Sequence, residues 1–185
     1  MYRNLQEFVQ RLEREGELIR VKTPVSSRFE IAEITDRMAK SEGGGKALLF
    51  ENTDGDFPVL TNMMGSSRRI AMALGVERLE QIGERIDALL KDVLSPKGSM
   101  WEKMRMLPVL ADVAKWFPKS VEGRGACQEV VIKGDDVDLE RLPMLHSWES
   151  DGGAFVTLPM VNTLDPETGV RNVGMYRMQR FDKRT

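Results

Sequence analysis

Leu5, Phe8, Val9 and Leu12 stand at i, i+3, i+4 and i+7, the spacing that gathers them on one face of an α-helix. Asn4 and Glu7 have capping-box spacing ahead of that face, and Gly16 supplies a stop. "ELIRVK" (17–22) follows as a short strand. "SRFEIAEITDRMAK" opens a second helix with Ser27 and Glu30 as a capping pair, carries Ile31, Ile34 and Met38 on one side, and breaks at Gly43, Gly44 and Gly45. "KALLFEN" and "FPVLTNMM" are apolar runs of strand length separated by "TDGD". Helix, strand, helix, strand, strand is the order of a small α/β layer.

Helical spacing returns in "GSSRRIAMALG" (65–75) and over 77–94, where Leu79, Ile82, Ile86, Leu89 and Val93 form the expected buried face. The Gly-Ser-Ser start of the first of these is ordinary capping chemistry, although free N–H groups there also suit an anion. "SPKGSMWEKMRMLPVLADVAKWFPKS" (95–120) mixes methionine, tryptophan and proline. It reads as a bent helix or helix pair linking two domains, interrupted at Pro108. Its Met and Trp content is better explained by packing than by a ligand-gripping surface.

From Cys127 the period shortens. "CQEVVIKG" predicts a strand, "DDVDLERLP" a turn-rich connection, and "AFVTLPMVNTL" and "VRNVGMYRMQRF" two strands around the five-residue loop Asp165-Pro166-Glu167-Thr168-Gly169. A boundary is therefore expected near residue 122. Residues 1–122 form an α/β domain with linker helices, and residues 123–185 form the opening strands of a mostly antiparallel β domain. The fold class is α+β.

Composition narrows the chemistry. With 41% hydrophobic and 30% charged residues among 185, a packed core is expected. No run of about 18 apolar residues spans a bilayer, and the charged start lacks the apolar region of a secretory signal. One cysteine, Cys127, fits a reducing cytoplasm and excludes an intrachain disulfide. One histidine, His146, in the loop-like "LPMLHSWESDGG", excludes a His/Cys metal cluster and reads as structural or solvent-facing rather than catalytic. Glu149 and Asp151 read as solvated carboxylates. No GxGxxG, Walker or GxSxG motif is present.

Charge is unevenly placed. The chain carries −2, yet residues 171–185 set five basic side chains against Asp182 alone, a local +4 that leaves −6 on the rest. That pattern suits a small anionic ligand better than nucleic acid, but charge alone favours a strand end with solvated arginines. Strand alternation puts Asn172, Gly174 and Tyr176 on one face, with Arg171, Val173, Met175, Arg177 and Gln179 on the other. Gly174 removes a side chain beside Asn172, so that a ligand or a second backbone can approach. An asparagine oxygen suits Mg²⁺, Mn²⁺ or Ca²⁺, and an arginine fork suits carboxylate or phosphate.

"LPMLHSWESDGGAFVTLPMV", "DPETGVRNVGMYRMQ" and "LQEFVQRLEREGELIRV", in that family's order along the chain, resemble the UbiD-type decarboxylases that use prenylated FMN. The resemblance implies an amino-terminal α/β domain followed by a flavin-binding split β-barrel. It implies that Asn172 is a metal ligand, holding Mn²⁺ against the cofactor phosphate, with K⁺ as a further cation. It implies that Met175, Tyr176 and Arg177, with Thr157 from the preceding strand, contact the cofactor, and that Arg177 also acts at the reacting carbon. The implied reaction is reversible, non-oxidative decarboxylation of an aromatic or α,β-unsaturated acid, with quinone biosynthesis as one setting. The implied partners are that small acid, a flavin prenyltransferase that supplies the cofactor, and further copies of the full-length chain. Peripheral membrane contact is compatible with it, and nucleic acid is not implied. The family's remaining metal ligands and its proton-donating glutamate lie carboxy-terminal to this motif, so the 185 residues alone are expected to be inactive. An ordinary FMN-dependent flavin reductase and a non-catalytic module are the competing readings.

Overall fold

A computed structural model describes residues 2–94, 100–117, 119 and 122–185. Contacts divide the chain into two compact units, one of residues 1–70 with 132–185 and the other of residues 71–131.

In the first unit, α1 (Leu5–Arg14) is capped by Asn4, whose Oδ1 accepts from the Glu7 amide at 2.9 Å. Glu7 reaches the amide of Arg3 rather than that of Asn4, so the capping box is shifted by one residue. Gly16 ends the helix at φ 68°, where the Glu17 amide returns to the Leu12 carbonyl at 2.8 Å. Phe8 and Leu12 are buried as the period requires, whereas Leu5 is exposed.

β1 (Leu18–Val21) and β2 (Ala47–Phe50) pair in parallel across the crossover helix α2 (Glu30–Ala39), and β3 (Val59–Thr61) pairs antiparallel with β2. Val25, Ile31, Leu48 and Phe50 form the core on the α2 side. Val21, Ile34, Met38, Val59 and Leu145 pack against it. Leu145 lies 84 to 95 positions beyond β2 and β3 in sequence, so the carboxy-terminal segment closes the core of the amino-terminal sheet.

The Ser27–Glu30 capping pair does not form. α2 starts one residue after Phe29, which sits at φ 69° with no side-chain cap. Ser27 instead spends its amide and hydroxyl on the Asp54 carboxylate, both at 3.0 Å. Gly43, Gly44 and Gly45 all take positive φ, which ends the helical region and returns the chain to β2.

α3 (Ser67–Leu74) carries the chain from β3 towards the second unit. That unit holds α4 (Glu80–Leu94) and α5 (Met100–Ala114). α5 continues through Pro108 rather than stopping there. The predicted buried face of α4 is only partly covered: Leu79, Ile82 and Leu89 are half-buried and Ile86 is exposed. The side chains of Val93, Met100, Trp101 and Met106, and the prolines flanking α5 at 96 and 118, lie outside the described residues.

The strand expected over "CQEVVIKG" is absent. Residues 126–128 make a single 3-10 turn, and Val130 beyond them is 79% exposed. β-branched composition favours a strand only where a neighbouring strand offers a ladder, and none among the described residues does. The turn-rich connection forms as expected, with 3-10 turns at 134–136 and 139–141.

Four short strands close the first unit: β4 (Ala154–Val156), β5 (Met160–Leu164), β6 (Arg171–Met175) and β7 (Met178–Arg180). β5 pairs with β6 and β4 with β7, both antiparallel. Each of the two long strands expected from the pattern is thus broken in the middle, at the same level of the hairpin. The molecule is α+β, and its β4–β7 strands do not close a barrel.

Candidate functional site

The hairpin turn is set by Asp165, whose Oδ1 accepts from the amides of Thr168 at 2.7 Å and Glu167 at 2.9 Å. These backbone bonds, that of Thr168 first, hold its carboxyl below the usual aspartate range. With Gly169 at φ 70° the chain turns back into β6 in a fixed register, pairing Leu164 with Arg171, Thr163 with Asn172, Val161 with Gly174 and Met160 with Met175.

At the break, the next ladder pair after Met160↔Met175 is Val156↔Met178. Thr157, Leu158 and Pro159 therefore face only Tyr176 and Arg177. One strand has a residue more than its partner, the arithmetic of a β-bulge, and Pro159 has no amide hydrogen to give a ladder. Bulges re-aim side chains. Three of the five residues singled out by the resemblance, Thr157, Tyr176 and Arg177, stand in this irregular patch.

Tyr176 folds back over β6. Its hydroxyl accepts from Asn172 Nδ2 at 3.3 Å, and a Cβ placed on Gly174 would collide with its ring. The space over Gly174, expected to admit a ligand or a second backbone, is filled by this ring. Asn172 Oδ1 accepts no hydrogen bond among the described residues. Arg177, also within the break, has its guanidinium carbon 3.9 Å from the centroid of the Phe155 ring. Asn172, Met175, Tyr176 and Arg177 are all exposed.

A cleft of about 750 Å³ lies beside the bulge, lined by residues 59–65, 142–145 and 155–158. Thr157 and Phe155 line it; Asn172, Met175, Tyr176 and Arg177 do not. Its size falls in the range of small-molecule sites. One wall, the loop 62–65, is held by Arg69. The Arg69 side chain is 0% exposed. It donates to Glu17 Oε2 at 2.9 Å and to the carbonyls of Gly45, Asn62 and Gly44 at 2.6, 3.2 and 3.3 Å. Asn62, at φ 51°, donates in turn to the carbonyls of Gly44 and Lys46.

His146 is half-buried. Its ring packs 4.7 Å from that of Phe29, and its backbone is tied to Ser27 and Phe29. Asp151 accepts from the Trp148 amide rather than pairing with a cation.

Phe155 and Arg69 were not reached from sequence. The available signals were slight: an aromatic two residues ahead of Thr157, and an Arg-Arg pair at the start of an apolar helix. Among the described residues no three His, Cys, Asp or Glu side chains gather as a metal site, and no helix is long and apolar enough to cross a membrane.

Comparison with known proteins fits this arrangement. Residues 9–87 match the family model of the 3-octaprenyl-4-hydroxybenzoate carboxy-lyase N-terminal domain, and residues 119–185 match that of the carboxy-lyase Rift-related domain. The chain belongs to the UbiD family. Curated relatives include uncharacterized proteins of Aquifex aeolicus, 51% identical over 98% of this chain, and of Archaeoglobus fulgidus, 46% identical over all of it. The chain spans 37% and 36% of those two relatives. Among solved structures, vanillic acid decarboxylase of Sedimentibacter hydroxybenzoicus in closed form superposes with a TM-score of 0.73 at 30% identity, over 99% of this chain and 36% of that one. The UbiD-class enzyme HmfF of Pelotomaculum thermopropionicum in complex with FMN superposes with a TM-score of 0.68 at 26% identity, over 97% and 35%. An evolved dimeric form of HmfF in complex with prenylated FMN gives 0.66 at 27%, over 98% and 37%.

Proposed function

We infer that this chain is the amino-terminal part of a carboxy-lyase that reversibly and non-oxidatively decarboxylates an aromatic or α,β-unsaturated acid with prenylated FMN. The observation that carries the reading is the coincident break of both hairpin strands. It brings Thr157 to a ligand-sized cleft and leaves the Arg177 guanidinium stacked on an aromatic that lines the same cleft. The flavin and prenylated flavin in the HmfF structures, and the decarboxylase activity named for the Sedimentibacter relative, support it.

The residues present fit a planar, largely apolar ring with polar edges. The cleft offers the Thr157 side chain and the sulfur-bearing side chains of the loop 62–65, while the Asn62 amide is spent holding that loop. They do not by themselves make a Mn²⁺ or K⁺ site, for which Asn172 Oδ1 is one neutral oxygen. A second and third ligand would come from elsewhere in a longer protein. Bound prenylated FMN would supply the electron sink for decarboxylation. The chain's own share is to orient the acid. Arg177 offers a fork of N–H donors to the carboxylate, and Thr157 borders the ring, whereas Met175 and Tyr176 stand outside the cleft.

A domain boundary near residue 122, assembly of the full-length protein into a homo-oligomer, a cytoplasmic setting and a place in quinone biosynthesis belong to the same proposal. The test is the full-length protein co-expressed with a flavin prenyltransferase, assayed for CO₂ release from aromatic acids. Arg177→Ala is expected to lower the rate by roughly 10²-fold or more, as loss of a charged group at a reacting centre does. Undiminished CO₂ release would overturn the role given to Arg177.

A further inference from the structure

We propose that Phe155 is a positioning residue for Arg177, an inference that rests on the carboxylate-holding role given above to that arginine. Arg177 stands in the gap between β6 and β7, where no ladder restrains it. It is exposed, and it makes no hydrogen bond or ion pair among the described residues. A side chain with four rotatable torsions in that position would sample many rotamers. What it has is a ring: the guanidinium carbon is 3.9 Å from the Phe155 centroid, well inside the limit of about 6 Å for cation–π attraction.

Phe155 is itself held. Its amide donates to the Leu145 carbonyl at 3.1 Å, its backbone pairs with Gln179 across β4 and β7, and it is half-buried. The anchor thus runs from Leu145, packed against the core, through a paired strand to the ring.

The choice of an aromatic partner has a chemical consequence. A carboxylate holding Arg177 would spend the in-plane N–H donors that an acid ligand needs. A ring face attracts the cation from above and leaves all five donors in the guanidinium plane unspent. Phe155 therefore orders the fork without competing for it, which suits a site that must take a free carboxylate.

The experiment uses the full-length protein with Phe155→Trp, Phe155→Leu and 3,5-difluorophenylalanine at 155. The last keeps the shape of the ring while weakening its negative face. Side-chain ¹⁵Nε relaxation of Arg177 reads its ordering, and a titration with sodium benzoate, followed at the same resonance, reads carboxylate binding. Ordering is expected to persist in the Trp variant and to fall in the Leu and difluoro variants, with benzoate affinity weakened roughly two- to fivefold. An Arg177 as ordered in the Leu and difluoro variants as in the wild type overturns the proposal. If benzoate leaves the wild-type Arg177 resonance unmoved, the carboxylate-holding role fails separately, and the relaxation series alone decides whether Phe155 positions the arginine.

Discussion

Tyr176 lies across Gly174 and accepts a hydrogen bond from the Asn172 amide at 3.3 Å. The glycine is therefore a seat for a ring of the same strand, and the tyrosine fixes which end of the Asn172 amide faces outward. Gly174→Ala puts a Cβ where the ring is, yet the ring is exposed and free to swing aside. The gain in strand propensity, about 0.5–1 kcal/mol, offsets the clash. Net stability is expected to stay within about 0.5 kcal/mol of wild type, while the Asn172 side-chain NH₂ resonances move to solvent-exposed values. An unchanged amide environment would show that Tyr176 does not depend on the missing Cβ.

Arg69→Met removes a buried cation whose partners are Glu17 and three loop carbonyls. Breaking one side of a buried pair costs about 3–5 kcal/mol. The low end is expected, because Glu17 keeps Arg68 as a second partner. Urea unfolding of the two proteins measures it. Adding Glu17→Gln should recover part of the loss, since the amide no longer leaves a charge unmatched; no recovery would mean that the carbonyls, not Glu17, are what Arg69 satisfies.

Deleting Leu158 makes the two sides of the strand break equal in length. The expected result is a continuous ladder from β4 into β5, seen as slower hydrogen exchange at residues 157 and 176–177, together with loss of the Arg177–Phe155 stacking. Exchange as fast as in the wild type would mean that Pro159, rather than the extra residue, keeps the strands apart.

Sequence pattern reached the elements whose burial is one-sided. α1 and α2 with their core residues Leu12 and Ile31 follow the 3.6-residue period, and β2 and the loop at Asp165 were equally legible, because the apolar stripe and turn chemistry that form them are local. What escaped depends on distant partners. "CQEVVIKG" has strand composition but no ladder to join. The one-residue excess at 157–159 exists only relative to the opposite strand, so two continuous strands were the natural reading of each segment alone. Phe155 and Arg177 are 22 positions apart, and nothing in either segment announces that the break stacks them. Asn172 and Tyr176 were placed on one face correctly. That the ring then fills the space over Gly174 is a matter of side-chain direction, which spacing does not set.

Asp54 ties the segment before α2 to the loop before β3, accepting from Ser27 N, Ser27 Oγ and Ser26 Oγ, each at 3.0 Å. Partial burial alone would raise its pKa, but the Ser27 side-chain and backbone bonds and that of Ser26 outweigh it and hold the carboxyl below its usual value. A carboxyl depressed in the folded state binds fewer protons there than in the unfolded chain. Its contribution is therefore complete above the ordinary aspartate range, near pH 4, and is lost as pH falls through the folded value. Asp54→Asn is expected to cost about 1 kcal/mol at pH 7, the scale of a charged hydrogen bond reduced by solvent exposure. Urea midpoints of both proteins at pH 7, 5 and 3 should show that gap unchanged between the first two and narrowed at the third. A gap independent of pH would mean that the serines recognise the shape of the side chain and not its charge.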